Sequence, residues 1–560
     1  MKKQVMLSKL VIFMLIFLFL MSLAGCLQDT FSREVKHEQP LDSEQERQRQ
    51  GEEQRLAAER MLAERQQREA DLQKELGAFF VPLPPLEIPE NPVVKAKGLY
   101  VTGHTAANSK RFAELLELIE ETELNAMVID VKNDNGLMTY RSEIEIVNEV
   151  NGNKGAVIED IDAVLHELKA RDIYPIARVV VFRDPHLPEV KQAWAIQKRN
   201  GGGQWRDPKD FAWVNPYEKN VWDYNIAIAK EAALKGFREI QFDYVRFPEN
   251  AKRVDREAEF PGSNDRRKDE AIEGFLAYAR EQLAEYNVHI AADVFGVIAT
   301  SQGDAEGIGQ NWEKVSSQVE YICPMIYPSH YGRGYFGIAV PDANPAGTVT
   351  RALVDSLKRN ALLEKPAIIR PWLQSFTATW VKGHIAYGPA EVRAQIKAAL
   401  ALGIDEFLIW NAGNRYTPNS YLTADEANSL AADQAAERSA QGRDALGRTQ
   451  QTALTDYLTA VQNKKWRDAF LWQSRDFAQS EAEYQTWVAS WTSSLDSYVA
   501  AEQGAAAYTV DVTFRLAETT KKLSGEIFTV VRENGVWKVQ PSPAFLKSLT
   551  AEQDSDTAAE

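Results

Sequence analysis

The sequence predicts a (β/α)8 barrel of the TIM type that is followed by a small α+β domain. Between Lys97 and Trp410, short apolar segments rich in β-branched residues alternate with longer segments of helical periodicity. Strands that alternate with helices form right-handed βαβ units around a parallel sheet, and eight such units close into a barrel. A doubly wound open sheet is the alternative, but no glycine-rich phosphate loop follows the first predicted strand.

The predicted barrel occupies residues 97–435. Its predicted strands are 98–101, 126–130, 175–181, 240–243, 289–293, 320–327, 367–370 and 406–410. Its predicted helices are 109–121, 157–170, 221–235, 269–286, 348–360, 390–402 and 424–432.

The chain begins with the features of a secretory signal that ends at a lipid attachment site. Three lysines within the first nine residues precede a wholly apolar segment, 10–21, which is too short for an ordinary transmembrane helix. Leu23-Ala24-Gly25-Cys26 then resembles the bacterial lipobox. The resemblance implies removal of residues 1–25 and attachment of a lipid to the thiol of Cys26. Two or three acyl chains hold a protein stably on a bilayer, so we expect a protein anchored to the cell membrane that faces the extracellular or periplasmic side.

Residues 26–96 are predicted to form a stalk and a linker. Segment 43–76 is rich in Glu, Gln and Arg with recurring Ala and Leu, which is typical of an exposed or loosely coiled helix. Five prolines between Pro82 and Pro92 predict a stiff, extended linker. These segments either space the barrel from the membrane or form a solvated low-complexity region without a task.

Beyond the barrel, the sequence predicts a linker at 436–449, an α+β domain at 450–547 and a disordered tail at 548–560. The predicted elements are helices 452–461 and 466–471, followed by strands 508–514, 526–531 and 536–539. Asn534-Gly535 marks a hairpin turn between the last two strands. This order of elements is similar to the cone-shaped domains of the nuclear-transport-factor and SnoaL-like kind, which implies a binding or packing module.

Charge and composition limit the classes of partner and cofactor. The net charge of -16 and the pI of about 5.2 would repel a polyanion, so we predict no nucleic-acid partner. Cys26 and Cys323 are the two cysteines, which excludes a disulfide framework, and the apolar strand around Cys323 favours a core position. The sequence contains no zinc-binding motif and no nucleophile elbow, so we predict no metal and no other cofactor.

Polar and aromatic side chains follow the predicted strands at the ends where a barrel places its active site. In strand order they are His104, Asp130 and Lys132, Arg183 and Asp184, Asp243 and Arg246, Asp293, Tyr327, Trp372 and Gln374, and Trp410 and Asn411. A ring of such groups on one face is what a sugar-binding site needs. We therefore predict the carboxylates as candidate catalysts and the other members of this ring as substrate-binding groups.

Asp243 is the strongest candidate for a catalytic carboxylate. It ends a largely apolar strand, where a carboxylate needs either a partner or a chemical task. Arg246 is near enough in sequence to hold it ionised, which suits a nucleophile or a transition-state stabiliser. The structural alternative is a buried Asp243–Arg246 pair that braces the barrel.

A second carboxylate is expected because most glycosidases place two carboxyl groups around the scissile bond. Asp293 ends the next predicted strand, and adjacent strands can present two such groups on one rim. Asp130 is its main rival for the role, and Asp184 and Glu249 are weaker candidates.

A long segment, 183–219, carries Trp194, Trp205 and Trp213 around three consecutive glycines. Loops of this length inside a compact domain are usually functional or mobile. We expect a flexible cover over the cleft, with Trp205 or Trp213 stacking on sugar rings; packing against a neighbouring helix is the alternative.

Several segments in a fixed order carry a family resemblance. They are Lys97-Gly98-Leu99-Tyr100-Val101-Thr102, Val128-Ile129-Asp130-Val131-Lys132, Phe242-Asp243-Tyr244-Val245-Arg246-Phe247-Pro248, Ala292-Asp293-Val294-Phe295-Gly296 and Pro324-Met325-Ile326-Tyr327-Pro328. From about Lys97 to Thr417 the chain resembles the bacterial "putative glycosyl hydrolase domain" family. The resemblance implies a TIM-barrel glycosidase fold and a poorly defined substrate.

These observations predict a lipid-anchored glycoside hydrolase that cleaves O-glycosyl bonds in an envelope or extracellular polysaccharide or oligosaccharide. Asp243 and Asp293 would share the roles of nucleophile or base and general acid, and the sequence does not decide which residue takes which role. The alternative is a non-catalytic carbohydrate-binding or scaffold lipoprotein on the same fold.

Overall fold

The computed structural model describes residues 43–76, 91–301, 303–304, 306–476, 481–504, 506–516 and 519–550. The predicted signal peptide, Cys26 and most of the Pro-rich linker lie outside the described residues, as do residues 551–560 of the predicted tail. Among the helices in the described ranges, none is both long and apolar enough to cross a bilayer.

Eight parallel strands close into a barrel, which confirms the predicted fold class. They are β1 Lys97–Val101, β2 Ala126–Lys132, β3 Tyr174–Val180, β4 Glu239–Asp243, β5 His289–Phe295, β6 Tyr321–Ile326, β7 in two pieces, Ile368–Ile369 and Trp372–Gln374, and β8 Phe407–Trp410. Strand β1 pairs with β2 and β8, and the second piece of β7 pairs with β6 and β8, so the sheet has no open edge. Pro371 has no N–H for the strand ladder, and it lies between the two pieces of β7.

Helices flank the barrel strands in the predicted order. The longer ones are Ser109–Glu120, Ile161–Ala170, Lys219–Lys235, Lys268–Leu283, Pro345–Asn360, Pro389–Ala401 and Ala424–Ala440, and shorter ones are Gly103–Ala106, Glu145–Glu149, Leu187–Val190, Ala251–Glu257 and Trp312–Ser316. The helix predicted from 157 begins at Ile161, because the side chain of Asp160 accepts the backbone N–H of Ala163 and caps it. The helix Ala424–Ala440 extends beyond the predicted barrel boundary at 435.

Side-chain alternation buries both faces of the barrel strands. On β2, Met127 and Ile129 join the layer between strands and helices, whereas Ala126 and Val128 join the cluster inside the barrel. Cys323 is buried in this same inner cluster, as its apolar strand predicts. Every second side chain of a strand therefore points into the barrel, and the last inward side chains of the strands lie at its carboxyl-terminal end.

An ion cluster fills the amino-terminal end of the barrel interior. Arg370 donates to both carboxylate oxygens of Glu239, at 2.8 and 2.9 Å, and to Glu406 at 3.1 Å. All three side chains are buried. Arg370 holds both carboxyl groups by hydrogen bonds, so we interpret this end of the barrel as a structural brace.

Segment Ser43–Leu76 is a single helix, and part of it contacts the amino-terminal end of the barrel. Gln54 hydrogen-bonds Nδ1 of His289 at 2.8 Å, and Glu53 forms an ion pair with Lys365 at 3.1 Å. Burial lowers the pKa of His289 to about 3, so this contact is made to a neutral imidazole. The predicted helix of the stalk therefore contacts the barrel through Gln54 and Glu53, and its role as a spacer stays a prediction.

Within its described residues, the segment after the barrel forms three helices, a four-stranded antiparallel sheet and a final helix. The helices are Gln450–Gln462, Trp466–Trp472, Glu481–Ala489 and Pro543–Thr550, and the strands are β9 Ser494–Gly504, β10 Ala507–Leu516, β11 Thr519–Glu533 and β12 Val536–Gln540. Asn534 and Gly535 have φ values of 45° and 78°, the mirror-image turn expected between β11 and β12. Sequence patterning missed β9, since its Ala, Glu, Gln and Gly content has low strand propensity. The nuclear-transport-factor-like interpretation stays a prediction.

Candidate active site

Four ionisable side chains lie inside the barrel near the carboxyl-terminal ends of neighbouring strands. Asp130 lies on β2, Arg178 on β3, Asp243 on β4 and Asp293 on β5. All four are buried. We call these residues the carboxylate cluster. It lies at the end of the barrel where TIM-barrel proteins carry their active sites.

Arg178 connects two of the aspartates. Its Nε and Nη2 donate to Oδ2 of Asp243 at 2.9 and 2.6 Å, and its Nη1 donates to Oδ1 of Asp130 at 2.6 Å. Nη2 also donates to Asp134, just beyond β2, at 3.1 Å. Burial opposes the charge of Arg178, but the surrounding aspartates outweigh it and raise its pKa well above the usual value. The guanidinium therefore stays cationic in the centre of the cluster.

The structure gives Asp243 a different partner from the predicted Arg246. Arg246 lies in the loop after β4, and its guanidinium turns to that same loop, where it donates to Glu249 and to the carbonyl of Phe247, each at 2.9 Å. Arg178 reaches Asp243 because both occupy inward positions on adjacent strands. Sequence reasoning missed Arg178, although an arginine inside an apolar strand, in register beside Asp130, was a usable signal.

A sharp turn directly after Asp243 fixes its carboxylate. Tyr244 has a φ of 49°, a left-handed conformation that is costly for a bulky side chain. The turn brings the backbone N–H of Tyr244 to within 2.5 Å of Oδ1 of Asp243, while Oδ2 receives Arg178. Three hydrogen-bond donors thus hold the two oxygens of Asp243 in place, and the strained backbone marks the position as a functional candidate.

Asp293 occupies the opposite kind of environment. Burial raises its pKa well above that of an ordinary aspartate, and the negative charge of Asp243 raises it further. The one side-chain hydrogen bond described to its carboxyl group comes from the indole N–H of Trp372, at 2.7 Å, which lowers the pKa only in part. Gln310 fixes this end of β5 by donating to the Asp293 carbonyl at 3.1 Å and accepting the N–H of Phe295 at 2.9 Å.

Aromatic side chains form one wall beside the cluster. Tyr100 donates its hydroxyl to Oδ2 of Asp130 at 2.7 Å and stacks on Trp410, with ring centroids 3.9 Å apart and planes 22° apart. Trp372 meets Trp410 edge-on at 5.6 Å, and Tyr327 lies 6.5 Å from Trp410. Aromatic faces beside buried carboxyl groups suit the apolar faces and hydroxyl edges of a sugar.

Arg183 lies at the rim, after β3. It contacts the carbonyl of Asp134 at 3.4 Å and lies over the rings of Phe211 and Tyr244, at 5.2 and 5.1 Å from their centroids. Arg183 therefore borders the cluster and shares Asp134 with Arg178.

Two predicted substrate-binding residues, Lys132 and Gln374, lie away from the cluster. Lys132 is fully buried, with Nζ 2.6 Å from Asp184 and 3.0 Å from Asn225, because a register shift after Asp130 turns it towards the helix layer. Gln374 donates to Asp342 at 3.1 Å and accepts from the backbone of Ser329, also at 3.1 Å. Both side chains are held in structural hydrogen bonds. The pairing with Lys132 also removes Asp184 from the candidate carboxylates.

Two further predicted residues, His104 and Asn411, lie outside the cluster on the same face. His104 is exposed on the helix Gly103–Ala106 that follows β1. Asn411 follows β8 and donates to the carbonyls of Ser375 and Arg415. Both side chains lie nearer to the surface than the carboxylate cluster does.

The prediction that Trp205 or Trp213 stacks on sugar rings is wrong. Only 2% of Trp205 and 3% of Trp213 is exposed. Both pack with Ile196, Val254 and Ala258 in a small separate core. Val254 lies on the helix Ala251–Glu257, so these indoles pack against a neighbouring helix, which is the alternative that burial statistics favour.

The closed barrel and its carboxylate cluster define this chain as a TIM-barrel protein with an acidic candidate active site. It belongs to the family described as "Putative glycosyl hydrolase domain", whose model matches residues 98–416. All four cluster residues lie within the matched span. None of the curated proteins matches the chain.

Several solved structures are similar to parts of the chain. A hypothetical protein from Ruminiclostridium thermocellum is 42% identical over 35% of this chain and 97% of its own, with a TM-score of 0.32. The PgaB (BpsB) glycoside hydrolase domain from Bordetella bronchiseptica is 12% identical over 62% and 98%, with a TM-score of 0.42. The endo-1,4-beta-D-mannanase from Thermotoga petrophila is 13% identical over 60% and 100%, with a TM-score of 0.40.

Proposed function

We propose that this protein is a glycoside hydrolase that acts on an envelope or extracellular polysaccharide and is anchored to the membrane through Cys26. One observation carries the catalytic part of the proposal. Two carboxyl groups on adjacent strands lie in different environments: Asp243 accepts hydrogen bonds from Arg178 and the N–H of Tyr244, whereas burial raises the pKa of Asp293. Glycosidases place two carboxyl groups in different environments, so that one acts as the acid and the other as the base or nucleophile.

The proposed roles follow from those environments. Asp293, which burial and the charge of Asp243 keep protonated, gives its proton to the glycosidic oxygen as the C–O bond breaks. Asp243, whose oxygens Arg178 and the N–H of Tyr244 hold in place, attacks the anomeric carbon or takes a proton from the attacking water. Asp130 is a positioning residue, because it holds Arg178 and the hydroxyl of Tyr100 in place.

The direct test is product release from a panel of purified envelope and extracellular polysaccharides. The full-length chain, purified in detergent, is incubated with each polymer, and new reducing ends are counted. Reducing ends from at least one polymer would support the hydrolase and name its substrate class. If no polymer gives product but at least one still binds, the result would support a carbohydrate-binding protein instead of a hydrolase.

A carbohydrate-binding or scaffold lipoprotein is the second candidate, and the completeness of the Arg178 network favours it. Arg178 already satisfies Oδ2 of Asp243 and Oδ1 of Asp130, as a brace would. This candidate predicts saturable glycan binding that changes little in Asp243→Asn and no product at any enzyme concentration.

The pH dependence of the reaction should report the ionisation of Asp293. A general acid works only while protonated, and the raised pKa keeps Asp293 protonated above the usual range of an aspartate. We therefore expect kcat/KM to fall as the pH rises through that raised pKa, and this alkaline limb to be absent in Asp293→Asn. Initial rates between pH 4 and pH 9 on the reactive polymer measure it. An unchanged limb in Asp293→Asn would contradict the assignment of Asp293 as the acid.

The membrane anchor has an independent test. The Cys26→Ala chain should lose incorporation of radioactive palmitate and leave the membrane fraction, because the thiol that would carry the lipid is absent. Cys323→Ala is the matched control: Cys323 is buried in the barrel, so labelling and fractionation should match the parent. Equal labelling of the Cys26→Ala chain and the parent would disprove lipid attachment at this position.

A further inference from the structure

A line of aromatic rings connects the carboxylate cluster with the surface of the barrel. The centroid of Trp410 lies 6.5 Å from that of Tyr327, Tyr327 lies 6.0 Å from Phe376, and Phe376 lies 6.1 Å from Trp380. The planes of Phe376 and Trp380 are 18° apart, so these two rings stack. We call these four residues the aromatic line.

The outer end of the aromatic line is exposed, although the loop that carries it is held in place. The side chain of Trp380 is 68% exposed. Its loop after β7 is fixed where Ile385 N–H donates to Asp342 at 3.3 Å and Tyr387 N–H donates to Thr377 at 3.0 Å. A single exposed apolar side chain is common on protein surfaces, but this indole stacks on a ring that leads to buried carboxyl groups. The three inner rings of the line are part of the core inside the barrel or pack against it, so Trp380 is the member of the line whose exposure core packing leaves unexplained.

Hydrogen-bonding groups lie beside the aromatic line. A surface depression next to Phe376 is lined by Thr377, Asn411 and Arg415, among other residues. Arg333 lies close to the same loop, with Nη1 donating to the carbonyl of Lys382 at 3.2 Å. Aromatic faces with polar groups at their edges match a sugar chain, whose rings are apolar on their faces and hydroxylated at their edges.

We propose that Phe376 and Trp380 form an outer binding subsite for a glycan chain of several sugar units, which lies along the aromatic line with its reacting bond at the carboxylate cluster. This inference rests on the proposed hydrolase function and makes the substrate an oligomer or polymer rather than a small glycoside. The spacing of the rings supports it, because successive ring centroids lie 6.0 to 6.5 Å apart from the exposed indole of Trp380 to Trp410.

Binding measurements on chains of different length test the outer subsite. Trp380→Ala, Trp380→Phe and Leu234→Ala are each made in the full-length Asp243→Asn chain, so that the glycans stay intact. Leu234 is the matched control, since it is also an exposed apolar side chain, at 77%, but lies on the outer helix Lys219–Lys235. Calorimetry in detergent then gives the affinity for disaccharides and hexasaccharides of glucose, mannose, galactose and N-acetylglucosamine.

We expect at least one hexasaccharide to bind more tightly than its disaccharide. Loss of the indole stacking surface should weaken that hexasaccharide by about tenfold in Trp380→Ala and the disaccharide by less than about twofold. Trp380→Phe should recover part of the loss, and Leu234→Ala should bind as the Asp243→Asn background does. Equal losses for both lengths, no loss, or no binding of any hexasaccharide would overturn the outer subsite.

The outcomes for this inference and for the proposed hydrolase are separable. A parent chain that releases no reducing ends, together with a Trp380→Ala chain that loses affinity for the hexasaccharide but not for the disaccharide, would support the outer subsite and contradict the hydrolase function. If the parent releases reducing ends and Trp380→Ala keeps its hexasaccharide affinity, the hydrolase function is supported and the outer subsite is contradicted.

Discussion

Replacing Asp243 by Asn is expected to lower turnover on the reactive polysaccharide by roughly 10³-fold or more. The amide has nearly the shape of the carboxylate but cannot attack the anomeric carbon or accept a proton from water. Arg178 keeps its contacts to Asp130 and Asp134, so the barrel should still fold. The measurement is the rate of reducing-end release, together with thermal unfolding followed by circular dichroism.

The matched control for this substitution is Asp162→Asn. Asp162 lies on the outer helix Ile161–Ala170 and forms an exposed ion pair with Lys235 at 3.2 Å. Such pairs contribute at most about 1 kcal/mol, so both turnover and stability should stay near the parent values. Parent-like turnover in Asp243→Asn would remove Asp243 from the chemistry and leave it as a brace for Arg178.

Much of the barrel and part of the candidate site were predictable from local patterns. The alternation of apolar strands with amphipathic helices fixes a parallel barrel, because each element must bury its own apolar surface. The rule that barrel sites lie at carboxyl-terminal strand ends was enough to place Asp243 and Asp293 on one face. Sequence distance was a poor guide to the partner of Asp243. Arg246 is three positions away but faces Glu249, whereas Arg178 comes from the neighbouring strand.

Other features depend on contacts that no local pattern encodes. Lys132 follows Asp130 by two positions and should share its face, yet a register shift in β2 sends it towards Asp184. Tryptophan content alone did not separate the buried Trp213 from the exposed Trp380, since the difference lies in which segments fold over each ring. Asp243 and Asp293 likewise differ in their environments because their hydrogen-bond partners, Arg178 and Trp372, come from distant parts of the sequence.

Replacing Arg178 by Met is expected to reduce the free energy of unfolding by about 3–5 kcal/mol. The guanidinium is buried and is the cation shared by Asp130 and Asp243, so its removal leaves two buried carboxylates without their counter-ion. Urea unfolding followed by circular dichroism measures the loss. Arg206→Met is the control, because Arg206 is exposed and lies 3.9 Å from the exposed Asp210, and its loss should cost less than about 1 kcal/mol.

The pH dependence of that loss distinguishes charge from packing. Burial already raises the pKa of Asp130, and Arg178 is the largest influence that lowers it. Without Arg178, the native pKa of Asp130 should rise further above its unfolded value, so the folded state binds more protons than the unfolded state and stability falls as the pH rises. The loss in Arg178→Met should therefore be smaller near pH 4, where the carboxyl groups take up protons, than at pH 7. A loss of the same size at both pH values would show that Arg178 stabilises the barrel through its volume rather than through its charge.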